Sequence, residues 1–283
     1  DLEQQVGRLE LLLSALFLGV AAMFPAFTSA TPGLRAPAQV TRQDMKMIKL
    51  PAPFAGLRVA CVSDLHLDPN ARAPVIRARL QPLATLNADV ILFLGDYATG
   101  WPRFEDEAAP IIAEQRAPLG VYAVLGNHDR WLGEAHSLDV LREAGVRVLV
   151  NESVALERGG AKLYLAGLND PSTGAGDLDA ALAQVPPGAC VILMSHTPDV
   201  IEDVAARGVA LVVAGHTHGG QVNLPLFGPP VVRSRYGSRY AHGLFYEGRT
   251  AMFVTRGVGE IAPYVRFNCP REIALLKLVS GQQ

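Results

Sequence analysis

An α/β fold is the class that this sequence predicts, and two patterns support the prediction. Five short apolar runs rich in Val, Ile and Leu are each followed directly by a polar motif. Segments of helical character lie between these runs. Short, continuously apolar runs are typical of strands buried on both faces. Alternation of such strands with helices places the helices on the faces of a sheet.

The runs that we predict as strands span residues 58–62, 90–94, 121–125, 191–194 and 209–214. The segments that we predict as helices span residues 73–87, 104–116, 137–144 and 199–207. We expect Asp199 to cap the last of these helices at its N-terminus. In α/β folds, ligands bind beyond the carboxyl ends of strands. The five polar motifs that follow the runs are therefore expected to meet at one edge.

Composition limits the function classes. A formal net charge of −2 over 283 residues offers no global attraction for a polyanion, so we expect no nucleic-acid partner. Three cysteines form no disulfide framework, and Cys61 and Cys190 lie inside apolar runs, which predicts buried thiols. The absence of a Cys-x-x-Cys motif argues against a structural zinc finger.

The N-terminal segment, residues 1–30, contains an apolar run at 11–27 that is close to the minimum length of a membrane-spanning helix. We favour a transmembrane helix that anchors the protein. A secretory signal cleaved after Thr28-Ser29-Ala30 is the first alternative, and a buried helix of a soluble protein is the second. Residues 31–50 are predicted to form a linker and a first strand, and residues 51–283 the α/β domain.

The charges around the apolar run bear on orientation. Basic residues follow the run at Arg35, Arg42, Lys46 and Lys49. Positive charge tends to stay on the cytoplasmic side of a membrane. We therefore expect association with the inner membrane and a cytoplasmic domain, with export to the periplasm or cell envelope as the alternative.

The polar motifs carry chemistry of one kind. The stretch Gly215-His216-Thr217-His218-Gly219 places two imidazoles on one side of an extended segment, next to glycines that permit a close bend. Five of the seven histidines in the chain fall in the motifs. The motif residues that can bind a metal or a phosphoryl group are Asp64, His66, Asp96, Asn127, His128, His196, His216 and His218.

Carboxylate, imidazole and amide donors suit Mn, Fe, Zn, Co or Ni, and among these we expect Mn. There are too many donors for one ion and about enough for two, provided that one carboxylate bridges. Two such ions clamp the attacking and leaving oxygens of a phosphoryl displacement. Two divalent cations, two carboxylates and a bridging hydroxide leave a positive remainder, which suits a phosphoryl anion.

As an ordered set, Asp64-x-His66, Gly95-Asp96, Gly126-Asn127-His128-Asp129, His196 and Gly215-His216-x-His218 resemble the signature of the calcineurin-like metallophosphoesterases over about residues 57–278. The resemblance implies a four-layer α/β/β/α sandwich with two metals at the strand ends. It implies that the first metal is held by Asp64, His66, Asp96 and His218. It implies that the second is held by Asp96, Asn127, His196 and His216, so that Asp96 is the bridge.

By the same resemblance, His128 contacts the phosphate and protonates the leaving group. Asp129 is expected to orient His128, with a loop-capping role as the alternative. The region 227–265 carries Arg233, Arg235, Tyr236 and Arg256, which we expect to bind a second phosphate; the alternative is a solvated loop.

Further motifs resemble a bacterial membrane-anchored or exported branch of the family, similar to enzymes that cleave the pyrophosphate of UDP-2,3-diacylglucosamine. They include Ser195-His196-Thr197-Pro198-Asp199 and Arg256-Gly257-Val258-Gly259. The resemblance implies that the bridging hydroxide cleaves a phosphodiester or pyrophosphate bond of an envelope lipid precursor. A phosphomonoesterase or protein phosphatase and an inactive membrane-bound binding module are the alternatives. The pattern departs from the branch at Asn169-Asp170-Pro171, to which we assign no chemistry.

Overall fold

The computed structural model describes residues 35–100 and 103–281. Its strands are β1 Gln39–Met47, β2 Arg58–Val62, β3 Val90–Phe93, β4 Val121–Ala123, β5 Arg147–Val148, β6 Glu152–Arg158, β7 Ala161–Gly167, β8 Val191–Met194, β9 Leu211–Ala214, β10 Gly243–Glu247, β11 Thr250–Val254 and β12 Glu272–Ser280. Its α-helices are α1 Ala73–Leu80, α2 Arg103–Ala113, α3 Asn127–Glu143, α4 Leu178–Leu182 and α5 Ile201–Ala206.

The strands form two six-stranded mixed sheets. The first has the order β1-β12-β2-β3-β4-β5 and the second β10-β11-β9-β8-β7-β6. In each sheet the strands that precede the polar motifs are neighbours: β2, β3 and β4 pair in parallel in the first, and β8 and β9 in the second. Parallel neighbours end at the same edge, so this pairing brings the motifs of each sheet together.

Alternating side chains divide the core into three layers. In β2, Val59 and Cys61 point into a cluster shared by both sheets, whereas Ala60 and Val62 pack under α1, α2 and α3. A third cluster joins the outer face of the second sheet to α4 and α5. The secondary structure is therefore stacked in four layers, in the order helix, sheet, sheet, helix. The predicted two-sheet α/β architecture is confirmed.

The five predicted strands are present, although three are shorter than expected at one end. Cys61 and Cys190 are buried and free, as predicted. The first strand, β1, falls within the segment 31–50. The sequence did not predict β5, β6, β7, β10, β11 or β12, which continue both sheets on their outer sides.

Two helix predictions need correction. Residues 137–144 are the second half of a longer helix, α3, which begins at Asn127 and bends at Gly133, where φ is 126°. Thr197 caps the short 3-10 helix Pro198–Val200 that leads into α5, and its side chain accepts from Asp199 N. Helix α5 itself has no side-chain cap. Asp199 instead accepts from Ser234 Oγ at 2.5 Å and Arg235 N at 2.9 Å, which fastens that loop to the helix.

The predicted membrane anchor or signal at residues 1–30 lies outside the described residues and stays a prediction. Within residues 35–100 and 103–281, no helix has both the length and the apolar character needed to cross a membrane.

Candidate metal centre

The loops that follow β2, β3, β8 and β9 are tied to one another by backbone hydrogen bonds. Asp64 N donates to Gly95 O at 3.0 Å, and His66 N donates to Asp96 O at 3.1 Å. Gly215 N donates to His196 O at 2.8 Å. Between the two sheets, His216 N donates to Asp64 Oδ2 at 3.1 Å. Together these bonds bring the predicted site residues of both sheets to one edge of the sandwich.

The backbone at this edge is unusual. Five predicted ligands have positive φ angles: Asp64, His66, Asp96, His216 and His218. Such a conformation costs a non-glycine residue about 1–2 kcal/mol, and strain of this kind clusters at functional sites. Gly126 is required as glycine, because a Cβ there would overlap Asp96 Oδ1 and lie 2.8 Å from His196 Cε1.

The first donor group consists of Asp64, His66 and His218, all buried, with donor atoms within 4.8 Å of one another. His66 Nε2 lies 3.0 Å from His218 Nε2 and 3.8 Å from Asp64 Oδ1. His218 Nε2 lies 3.5 Å from the same oxygen. Three donor atoms thus face a common point.

The second donor group consists of Asp96, His196 and His216. His196 Nε2 lies 3.1 Å from His216 Nδ1 and 3.2 Å from Asp96 Oδ2. Asp96 Oδ2 also lies 3.4 Å from His66 Nε2 in the first group. Asp96 therefore stands between the two groups.

Hydrogen bonds behind the rings fix two of the histidines. His196 Nδ1 lies 2.6 Å from Leu94 O, which can only accept, so this nitrogen carries a proton and Nε2 faces the site. His66 Nδ1 lies 2.6 Å from Thr99 Oγ1. No sequence motif pointed to Thr99, because a hydroxyl three residues after Asp96 belongs to no recognisable pattern.

Burial and mutual charge shift the pKa values of the site in opposite directions. Burial lowers the pKa of His216 to about 3, and the charge of His196 contributes. Burial raises the pKa of Asp64 to about 6 despite the charge of His196. Burial alone would lower the pKa of His196, but the charge of Asp96, its hydrogen bond to His196 and the charges of Asp64 and Asp170 together raise the pKa to about 10. The negative charge of Asp96 thus favours the protonated form of His196.

The donor set fits divalent cations. Asp64 Oδ1 and Asn127 Oδ1 are buried and have no hydrogen-bond partner among the described residues. Two pairs of imidazole nitrogens face each other at 3.0 and 3.1 Å, an arrangement that a shared cation explains. Cations here would satisfy the orphaned oxygens and replace the proton on His196.

His128 lies beside the donor groups. Its ring centre is 4.8 Å from that of His66, and its backbone N donates to Asp96 Oδ1 at 2.9 Å. Burial lowers the pKa of His128, and the charge of Arg233 lowers it further, although Asp96 opposes both. Trp131, another residue without a sequence signal, lies against the His128 ring at 4.9 Å.

Asp129 bonds to the backbone of the site loops, and its expected role in orienting His128 stays a prediction. Its carboxylate accepts from the backbone N of Asp96, Tyr97 and Gly126, each at 2.8 Å. The hydrogen bonds of its side chain thus serve the backbone of the site loops and the start of α3, as in the loop-capping alternative.

The structure separates the four residues expected to bind a second phosphate. Arg233 lies close enough to the site for its charge to lower the pKa of His128. Arg235 instead stacks over the ring of Tyr236 at 4.8 Å and bonds to its hydroxyl at 2.7 Å. The guanidinium of Arg256 pairs with Glu272 Oε1 at 2.7 Å, and its expected part in phosphate binding stays a prediction.

Buried carboxylate and imidazole groups at the strand ends of a double-sheet α/β sandwich define a metal-binding α/β protein. Comparison with known proteins is more specific. Residues 57–220 match the sequence profile of the family described as Calcineurin-like phosphoesterase.

Curated relatives of similar length agree with this match. The uncharacterized metallophosphoesterase YkuE of Bacillus subtilis is 29% identical over 246 residues, which cover 86% of each chain. Phosphodiesterase YaeI of Escherichia coli is 31% identical over 240 residues, which cover 81% of this chain and 83% of YaeI. UDP-2,3-diacylglucosamine pyrophosphatase LpxG of Chlamydia trachomatis is 25% identical over 295 residues, which cover 84% of this chain and 88% of LpxG.

The chain belongs to the calcineurin-like phosphoesterase family. It is a metal-dependent phosphoesterase.

Proposed function

We propose that the protein hydrolyses a phosphodiester or pyrophosphate bond with the help of two divalent metal ions. We expect Mn²⁺ as the metal. The observation that carries the proposal is the position of Asp96 Oδ2, which lies 3.4 Å from His66 Nε2 and 3.2 Å from His196 Nε2. One carboxylate shared between two donor groups is the arrangement that a pair of neighbouring ions requires.

The residues that would hold the first ion are Asp64, His66, Asp96 and His218. Those that would hold the second are Asp96, Asn127, His196 and His216. When bound, the ions supply Lewis-acid activation of the phosphoryl group and a nucleophilic oxygen at neutral pH.

The remaining roles belong to the protein. The His128 ring lies beside the first donor group and can give a proton to the leaving oxygen. Its pKa is lowered mainly by burial, and the negative charge of a bound phosphate would favour its protonated form. The guanidinium of Arg233 is a candidate for binding the second phosphate group of a pyrophosphate.

The substrate class rests on relatives and on the N-terminal sequence. YaeI is named a phosphodiesterase and LpxG a UDP-2,3-diacylglucosamine pyrophosphatase. The apolar run at 11–27 would hold the domain of residues 51–283 near a membrane. We propose an envelope lipid precursor such as UDP-2,3-diacylglucosamine as substrate, and a position at the cytoplasmic face of the inner membrane.

The test is hydrolysis by the full chain, loaded with Mn²⁺, of three substrates: a nitrophenyl diester, the corresponding monoester, and UDP-2,3-diacylglucosamine in mixed micelles. We expect the diester and the pyrophosphate to be cleaved faster than the monoester. The Asp96→Asn variant is the negative control for hydrolysis that does not depend on the metal centre. Faster cleavage of the monoester would instead assign the site to a phosphomonoesterase.

A further inference from the structure

Large exposed apolar side chains are concentrated at one edge of the molecule. Among the described residues they are Trp131, Leu226, Phe227, Val231, Tyr246 and Tyr264. Five lie on segments around the metal centre, and Tyr246 lies toward the far end of β10, where it pairs with Ala251. Single exposed apolar residues need no explanation. Their grouping around one site does.

Contacts with the site loops place the members of this group. The ring of Trp131 lies 4.9 Å from that of His128. Tyr264 faces Asp68, two residues beyond His66, and that contact together with burial raises its pKa. Trp131 and Tyr264 therefore border the metal centre from different loops, and Leu226, Phe227 and Val231 lie together on the segment that follows His218–Gly220.

Leu226 and Phe227 form the tip of a tight hairpin. Leu224 N donates to Gly228 O at 3.0 Å, and Gly228 N donates to Leu224 O at 2.9 Å. Leu226 is fully exposed, and 85% of Phe227 is exposed. Leu226 also has a φ of 70°, which a branched side chain rarely adopts. The protein thus holds Leu226 in a strained conformation with its side chain in water, a double cost that an apolar environment for the tip would offset.

The sequence around the tip favours an anionic surface. From Gly208 to Tyr246 the chain contains no Asp or Glu, whereas Arg233, Arg235 and Arg239 follow the tip closely. The next acid, Glu247, pairs with Arg239 at 3.5 Å. Basic groups beside an apolar tip complement a membrane surface that carries anionic lipids.

The direction in which the chain enters the domain points to the same edge. Strand β1 is parallel to β12, and β12 is antiparallel to β2, whose carboxyl end leads to Asp64. The first residue of β1 is consequently at the edge of the metal centre, where Gln39 N donates to Arg271 O at 2.9 Å. The apolar run at 11–27 precedes β1, so the chain reaches the domain from this edge.

We propose that the edge of the metal centre docks on an anionic lipid bilayer, with Leu226 and Phe227 inserted below the headgroups. Trp131 and Tyr264 would lie at the level of the headgroups, which is where these amphipathic rings prefer to be. The docking surface is distinct from the phosphoesterase chemistry and does not depend on which substrate is cleaved.

The test uses a fluorescent reporter at the tip of the full chain. Phe227→Trp and Tyr246→Trp are each compared with the unchanged protein, whose own tryptophans supply the background. The vesicles contain equal amounts of phosphatidylcholine and phosphatidylglycerol, with ordinary or brominated acyl chains. The indole introduced by F227W is expected to shift its emission to the blue, to lose intensity in brominated vesicles and to resist aqueous iodide.

The indole introduced by Y246W is expected to respond to iodide and not to bromine. If F227W behaves like Y246W, the tip is in water and the proposal is wrong. If F227W is shielded from iodide and from bromine alike, protein covers the tip, from residues 11–27 or from another chain, and the proposal is also wrong. None of these measurements requires hydrolysis. Failure of the docking proposal can therefore be told apart from failure of the proposed hydrolytic function.

Discussion

The carboxylate of Asp129 holds the backbone of Asp96, because Asp96 N donates to Asp129 Oδ2 at 2.8 Å. The same oxygen accepts from Gly126 N, and the other oxygen accepts from Tyr97 N. One buried acid therefore joins the loop after β3 to the start of α3. The separation between Asp96 and Asn127 depends on this connection.

Asp129→Asn is predicted to loosen that connection. A carboxamide keeps one accepting oxygen, and its NH2 group must face at least one of the three backbone N–H donors. A buried donor without a partner costs about 1–3 kcal/mol. We expect a corresponding fall in the free energy of unfolding, measured with urea, and a lower metal content. Asp139→Asn, an exposed change in the same helix, is the control. Equal stability of the two variants would contradict the role of Asp129.

Asp96→Asn is predicted to reduce the metal content from two ions per chain and to remove most activity. The amide of Asn carries no negative charge and is a weaker metal ligand than the carboxylate, so both donor groups are weakened. Loss of a group that only supports a ligand typically costs 10–100-fold, so loss of the shared ligand should exceed about 100-fold. Metal analysis and initial rates are the measurements, with the exposed Asp44→Asn as control. Full activity with one ion per chain would refute the shared-ligand interpretation.

His128→Ala is predicted to act differently on two substrates. A diester with an alkyl leaving group needs a proton from the enzyme, and such general acids are worth roughly 10²–10⁴-fold. A nitrophenolate leaves without a proton and should lose much less. The measurement is kcat on both esters. His136→Ala, in the same helix and 40% exposed, is the control. Equal losses on both esters would show that His128 binds the phosphoryl group and does not protonate the leaving oxygen.

The sequence predicted the strands that precede the polar motifs. It missed β11 and β12 although they are also buried and apolar, and it missed β6 for a physical reason. Strands β2, β3, β8 and β9 are buried on both faces, and therefore appear as continuous apolar runs. Strand β6 is largely exposed, with Leu156 as its one fully buried residue, so it shows no such run. Its position depends on pairing with β7, a non-local contact that composition does not record.

The same distinction applies to the site. Donor atoms were predictable because they follow apolar strands in recognisable motifs. The groups behind them were not, since Thr99 has no motif and Leu94 acts through its carbonyl oxygen. The different environments of Arg233 and Arg256 were equally hidden, because the partner of Arg256, Glu272, lies in a strand that the sequence analysis did not predict.

Arg233→Ala is predicted to weaken the enzyme on pyrophosphate substrates. The charge of Arg233 acts on the site histidines, so its guanidinium is placed to bind a phosphate group. A hydrogen bond to a charged group contributes about 1.5–3 kcal/mol, which corresponds to a loss of about 10–100-fold in kcat/KM. Arg239→Ala, which removes an exposed arginine that pairs with Glu247, is the control. A loss no larger than that of R239A would exclude Arg233 from binding.

Glu105→Gln is predicted to stabilise the protein at alkaline pH. Glu105 is buried in α2 and accepts from Ser137 Oγ at 2.7 Å. Burial raises its pKa from 4.5 to about 7, although the bond from Ser137 and the charge of His136 oppose the rise. A raised pKa favours the folded state below pH 4.5, and this contribution is lost as the pH rises through 7.

Gln keeps the acceptor for Ser137 and cannot ionise, so the E105Q variant should not show this loss. Since one pKa unit corresponds to about 1.4 kcal/mol, the unfolding free energy of E105Q relative to the unchanged protein should rise by about 3 kcal/mol between acidic and alkaline pH. Glu107→Gln, in the same helix, is the contrast: the hydrogen bond from Arg72 lowers the pKa of Glu107, so its effect should be smaller and opposite in sign. Urea unfolding at pH 5 and pH 8 measures both variants. A difference between E105Q and the unchanged protein that is the same at both pH values would show that Glu105 does not become ionised within the fold over this range.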